Sequence, residues 1–351
     1  MEYTIFGESH GPAIGVTLTG IPAGLELDLG SLQFELARRA TGKNKLSTAR
    51  KEADQVEILS GLFEGKTTGT PMALVIRNTD QHSKDYSQLK VLPRPSHGDY
   101  SGSVRYHGCN DYRGGGHFSG RLTAPLVAAG AIAKQVLAQK GIFVGAHIAS
   151  VAGIADAELD CTLDQRDLLT QVAQKEFPTI DDQAGADMQK AILTAREELD
   201  SVGGTIQCMV SGLKPGAGAP DLDENVEGIF ARHLFAVPAV KGIEFGSGFA
   251  LAGMRGSQAN DPFYMDGDAI RTRTNHAGGV NGGITNGMPV VFTVAIRPTP
   301  SIAKEQDTVD LITGKDAKLS IQGRHDPCIV HRAVPVIEAA AALAVCQLLG
   351  L

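Results

Sequence analysis

Apolar residues alternate with polar or small ones at Ile14, Val16 and Leu18, the period-two pattern of a strand with one buried face. Similar runs around 55–59, 72–77, 143–151, 205–211 and 289–296 predict further strands. Elsewhere the period lengthens. Leu32 and Leu36 lie four apart in a segment that reads as helix and ends at Gly42, with Arg38, Arg39 and Lys43 toward its C-terminal end, where cations suit the helix dipole. Two longer helices are predicted over about 123–140 and 334–349. Each is rich in alanine, hence tightly buried, and each carries a proline, Pro125 or Pro335, that this reading places in its first turn, where proline is tolerated.

Strands and helices follow one another without a regular βαβ rhythm, which predicts α+β layers and not a doubly wound parallel sheet. No Ser/Gly/Pro linker or charge run divides the chain, so residues 1–351 are expected to form one domain. One internal echo stands out. Gly69-Thr-Pro followed by an apolar run and Arg77-Asn-Thr resembles Gly287-Met-Pro followed by an apolar run and Arg297-Pro-Thr. A duplicated strand unit would explain the pair, and so would chance.

Composition narrows the function classes. With 42% apolar residues in 351 the chain can bury a large core, and a formal net charge of −7 offers no global field to nucleic acid or an anionic membrane. An anionic ligand must therefore meet a local basic cluster. The five cysteines, at 109, 161, 208, 328 and 346, form neither a C-x-x-C pair nor a zinc spacing, so no metal site is expected and free thiols in a reducing cytosol are. No secretory leader opens the chain and no apolar run reaches the roughly 18 residues of a membrane span, so a soluble cytoplasmic protein is expected. Glycine is the outlier, at 42 of 351 residues.

Several familiar motifs fail. Gly61-Leu-Phe-Glu-Gly65-Lys66-Thr67 has three residues between its glycines where a phosphate loop needs four, and reads better as a β-turn. Gly246-Ser-Gly248 lacks the third glycine of a dinucleotide fingerprint, and neither G-x-S-x-G nor H-E-x-x-H occurs. Others hold. Gly7-Glu8-Ser9-His10-Gly11 and Arg94-Pro-Ser-His97-Gly-Asp99 place histidines in loops, either as acid/base groups or as hydrogen-bonded turn residues. In Arg113-Gly-Gly-Gly116-His117-Phe118-Ser119-Gly-Arg121, three glycines permit close backbone approach between two arginines. Asn275-His-Ala-Gly-Gly279 and Gly282-Gly-Ile-Thr-Asn-Gly287 form a second glycine-rich stretch, leading to Arg297-Pro-Thr-Pro-Ser301. Gly323-Arg324-His-Asp326-Pro-Cys328, with Arg332 behind it, packs opposite charges before the last helix.

In order and spacing these segments resemble the chorismate synthase family along nearly the whole chain. The resemblance implies a four-layer sandwich with helices between two antiparallel β-sheets, assembled as a homotetramer. It implies conversion of 5-enolpyruvylshikimate 3-phosphate to chorismate by 1,4-anti elimination of phosphate, using reduced FMN without net redox change. His10 would assist the leaving phosphate, His97 would face the flavin N1 region, and Asp326 would work with the flavin in removing the ring proton. Substrate binding would fall to Arg39, Lys45, Arg50, Arg121 and Arg332. FMN contacts would come from His117, Phe118, Ser119, Pro238, Ala239, Gly282, Arg297, Pro298, Thr299, Pro300, Ser301 and Arg324. The resemblance leaves open whether the chain would reduce its own FMN, with NADP, or rely on a separate flavin reductase. Many members carry arginine where this chain has His117 and serine where it has Phe118. A flavin oxidoreductase with net electron transfer and a non-catalytic binding protein are the competing readings.

Overall fold

The computed structural model describes residues 1–42, 46–47, 54–79, 88–321 and 326–351. Two antiparallel sheets form its outer layers. The first runs Glu2–Gly7, Ala13–Thr19, Met72–Arg77, Val56–Ser60 in spatial order, and the second runs Val240–Phe245, Val290–Ile296, Gly204–Ser211, Phe143–Val151, with the short Ile154–Ala155 strand beyond. Ile14, Val16 and Leu18 and their partners Ile76, Leu74 and Met72 are all sealed, which is the alternation predicted from sequence.

Between the sheets lie the helices Thr123–Ala138, facing the first sheet, and Val330–Leu348, facing the second, flanked by Leu29–Arg39 and Val226–Phe235. The four-layer α+β architecture expected from the resemblance is present. The central helices are alanine-rich because each is covered on every side. They approach so closely that a Cβ added to Gly130 would overlap Ala339. Val330–Leu348 is long and apolar enough to cross a membrane, yet it is the core helix here, with most of its surface packed inside. The outer face of the second sheet holds a smaller cluster of Leu159, Leu169, Met209 and Val291 beneath the Arg166–Ala173 helix.

Number the four long strands of each half by sequence, and both sheets read first, second, fourth, third, antiparallel throughout. In each half a helix separates the second strand from the third, and a long buried helix follows the fourth. The echoing segments are the two fourth strands, each preceded by a positive-φ glycine, Gly69 or Gly287. A duplicated unit would produce this arrangement.

Two boundaries need correcting. The last helix starts at Val330, not near 334, so Pro335 sits inside it and the first-turn reading fails. Val330 and Val334 extend the buried stripe of Ile337, and that burial outweighs the one backbone hydrogen bond that proline removes. The first helix stops at Arg39, short of Gly42, and begins at Asp28, whose side chain accepts from Ser31 N. Gly61–Thr67 is a tight hairpin turning at Glu64 and Gly65, as its spacing suggested.

Candidate active site

The turn between the first two strands carries Ser9 and His10, both buried. Ser9 Oγ lies 2.8 Å from His10 Nδ1 and donates to the Gly114 carbonyl at 3.3 Å. With its own proton so used, the hydroxyl accepts from Nδ1–H, which leaves Nε2 as the atom through which the ring takes up and gives a proton. Gly114, Gly115 and Gly116 all have positive φ. A Cβ on Gly114 would overlap the His10 ring, and one on Gly115 would stand 3.0 Å from His97 Cε1 and 3.2 Å from its Nε2. The triple glycine thus lets the loop pass between two histidines about 90 residues apart in sequence. Gly114→Ala is expected to cost about 1–3 kcal/mol in strain and to displace His10. Melting temperature and turnover equal to those of the parent would show that the loop yields.

His97 is held by its own motif. Its Nδ1 lies 2.7 Å from Asp99 Oδ1, and Arg94 grips the same carboxylate through Nε and Nη2, both at 2.7 Å. Burial would push the Asp99 carboxyl up, but hydrogen bonds from Arg94 and His97 outweigh it and hold the group well below the usual range. Burial lowers the His97 pKa; Asp99 opposes the shift, while Arg94 and Arg297 add to it. The carboxylate orients the ring and fixes the Nδ1 proton, so Nε2 is the nitrogen at Gly115.

A cationic cluster adjoins. Asp54 is fully buried between Arg39, at 3.3 Å, and Arg121, in a short contact. Arg332 donates to Asp326 Oδ2 at 2.6 Å and to the Arg39 carbonyl at 3.4 Å. Burial drives the Arg39 guanidinium down to about 10; Asp54 and Asp326 oppose this, and Arg121 and Arg332 reinforce it. Among the described residues, three arginines face two carboxylates here, an excess of one positive charge that suits an anion. The end of the Val290–Ile296 strand joins the two groups. Ser301 accepts from Arg94 Nη1 at 3.0 Å, Thr299 Oγ1 donates to the Asp326 carbonyl at 2.7 Å, and Arg297 N donates to the Ala239 carbonyl at 3.0 Å.

The chain matches the model of the family described as "Chorismate synthase" over residues 1–349. The chain belongs to the chorismate synthase family. It is 45% identical over 338 residues to the chorismate synthase of Dehalococcoides mccartyi, covering 96% of this chain and 92% of that one. It is 46% identical over 346 residues to the chorismate synthase of Aeropyrum pernix, covering 99% and 90%. A solved structure titled "Crystal Structure of Chorismate Synthase" superposes with a TM-score of 0.78 at 29% identity, covering 99% of this chain and 91% of that chain.

Of the residues that resemblance to chorismate synthase singled out, the structure brings together His10, His97, Asp326, Arg39, Arg121, Arg332, Ala239 with Pro238, and the segment 297–301. Lys45, Arg50 and Arg324 lie outside the described residues. His117 is exposed and its Nδ1 lies 2.9 Å from the Gly7 carbonyl, while Ser119 caps Arg121 N. Phe118 turns away onto the Asp99–Arg105 helix, covering Gly98 and Gly102 and meeting Tyr106 at 6.2 Å. Its ring thereby braces the helix that begins at Asp99, an apolar task a serine could not perform. Gly282 lies in a hairpin beyond Val290, at the opposite end of the strand from Arg297, about 20 Å of strand away. Asn275 ties the neighbouring loop to the Cys161 and Pro289 carbonyls. Sequence reasoning passed over Asp54, which has no local signal, and Asn78, visible only inside the Arg77-Asn-Thr echo.

Proposed function

We propose that this chain converts 5-enolpyruvylshikimate 3-phosphate to chorismate and phosphate, the carbon–oxygen lyase step of the shikimate pathway in aromatic amino acid biosynthesis. The observation that carries the assignment of roles is the convergence of Arg39, Arg121 and Arg332 on two carboxylates, beside two histidines that share one glycine loop. The arginines bind the substrate's carboxylates and phosphate through their planar forks. His10, oriented by Ser9, gives a proton or hydrogen bond to the leaving phosphate oxygen as the carbon–oxygen bond breaks. Asp326, paired with Arg332, accepts the ring proton, so one proton and one phosphate leave as the new double bond forms.

The residues fit a reduced flavin, the cofactor the family uses. Arg297 Nε is buried without a hydrogen-bond partner among the described residues, and burial lowers the pKa of its guanidinium. Arg297, His97 and the Ala239 and 299–301 backbone would hold FMN, with His97 Nε2 the ring atom that would hydrogen-bond the cofactor. When bound, reduced FMN supplies an electron-rich ring that lends charge to the breaking bond and recovers it.

Under anaerobic conditions with FMN and sub-stoichiometric dithionite, chorismate is expected to exceed the reductant many-fold. Consumption of one reductant per product would place the protein among the oxidoreductases. We also read the protein as a cytoplasmic homotetramer whose FMN is reduced either by the chain itself or by a separate reductase. Gly282 supports assembly, since from its end of the strand it would reach a flavin only in a neighbouring copy; light scattering tests the mass.

A further inference from the structure

Asn78 follows the Met72–Arg77 strand and has none of the roles assigned above. Its amide nitrogen donates to the carbonyls of Glu8, at 3.0 Å, and Gly11, at 2.9 Å, the two residues that bracket Ser9 and His10. Its amide oxygen accepts from Arg121 Nε at 3.1 Å, and its backbone N–H donates to the Pro12 carbonyl at 3.2 Å. We propose that Asn78 is a positioning residue that fixes the His10 turn relative to Arg121, and so sets where the proton donor stands against the anion-binding cluster. The inference rests on the roles proposed for His10 and Arg121.

The chemistry of the side chain supports this. Two donors and one acceptor on a short stem are what the site uses, and an amide supplies them together. Aspartate would still accept from Arg121 but would set a carboxylate against two carbonyl oxygens. Alanine would leave both sides without the bridge. Misplacing a reacting group by about 1 Å can cost on the order of 100-fold in rate.

The test measures steady-state kinetics with reduced FMN and the phospho-substrate for Asn78→Asp, Asn78→Ala, His10→Ala and the Asn78→Asp/His10→Ala double variant. Asn78→Asp is expected to lose about 10- to 100-fold in kcat with KM within about 3-fold, because Arg121 keeps its acceptor. Asn78→Ala should also raise KM. Once His10 is gone the turn has nothing to position, so Asn78→Asp should cost less than about 2-fold more in the double variant. A folded Asn78→Asp with parental kcat, or losses that multiply in full in the double variant, would overturn the inference alone. His10→Ala with parental turnover would overturn the histidine's role and this inference with it. Should circular dichroism show Asn78→Ala unfolded, the aspartate variant, of nearly equal size, carries the test.

Discussion

His10→Ala and His97→Ala are each expected to lower turnover by about 10²–10⁴-fold while the protein stays folded. Either variant turning over at the parental rate would return its histidine to a purely structural part. His97→Ala should also show itself in acid. His97 has its pKa below the ordinary 6.5, because burial, Arg94 and Arg297 together outweigh Asp99. Below about 6.5 the unfolded chain therefore binds a proton more readily than the folded one at this position, and stability falls as pH drops. His97→Ala should remove that contribution, so its denaturation midpoint should decline less than the parent's between pH 7.5 and 5. Equal declines would mean that the folded ring charges as easily as a free one.

Glu338→Ala is expected to cost about 3–5 kcal/mol. Glu338 is 1% exposed in the last helix. It takes Arg38 in a bidentate grip at 2.6 and 2.8 Å, makes a short contact with Lys134, and accepts from Ala146 N at 3.1 Å. Glu35 completes the group, 2.7 Å from both cations. Burial alone would raise the Glu338 carboxyl, but Arg38 and Lys134 pull it down to about 2. Its contribution is present above the ordinary value of 4.5 and is lost as pH falls toward 2. Removing it leaves two buried cations with one carboxylate and frees the end of the helix that carries Arg39. Urea midpoints at pH 7 measure the loss, and a change below about 0.5 kcal/mol would mean the cations find other partners.

The central strands were legible because each alternates or runs apolar across a sealed sheet, as Ile14, Val16 and Leu18 do. The edge strand Val240–Phe245 was not: it reads Val-Lys-Gly-Ile-Glu-Phe and is bulged at its start, since an edge needs only one covered face. The Asp182–Glu197 helix was missed because its buried stripe is only Gly185, Met188, Ile192 and Ala195. At the site, His10 and His97 could be marked as candidates, but nothing local says that one glycine loop separates them. Nor could spacing tell which of two adjacent arginines turns to the site. A helix points them about 100° apart, and the structure gives Arg38 to Glu338 and Arg39 to Asp54. Phe118 rests on Gly98 and Gly102 at a neighbouring helix, a contact that no local spacing announces.

The repeated strand order brings the starts of two buried helices to one place. The two long helices touch near their midpoints, at Gly130 and Ala339, and both begin beside the same Arg39–Asp54 pair, one just after Arg121 and the other at Arg332. Asn78 and Pro298 are the residues after each fourth strand's arginine, Arg77 or Arg297. Two helix dipoles then direct their positive ends, roughly half a charge each, at one point, and add to the arginines in front of them. The scaffold thus sums two helix dipoles and the charges of Arg39, Arg121 and Arg332 at one electropositive focus, which the first half meets with the His10 turn and the second with Asp326.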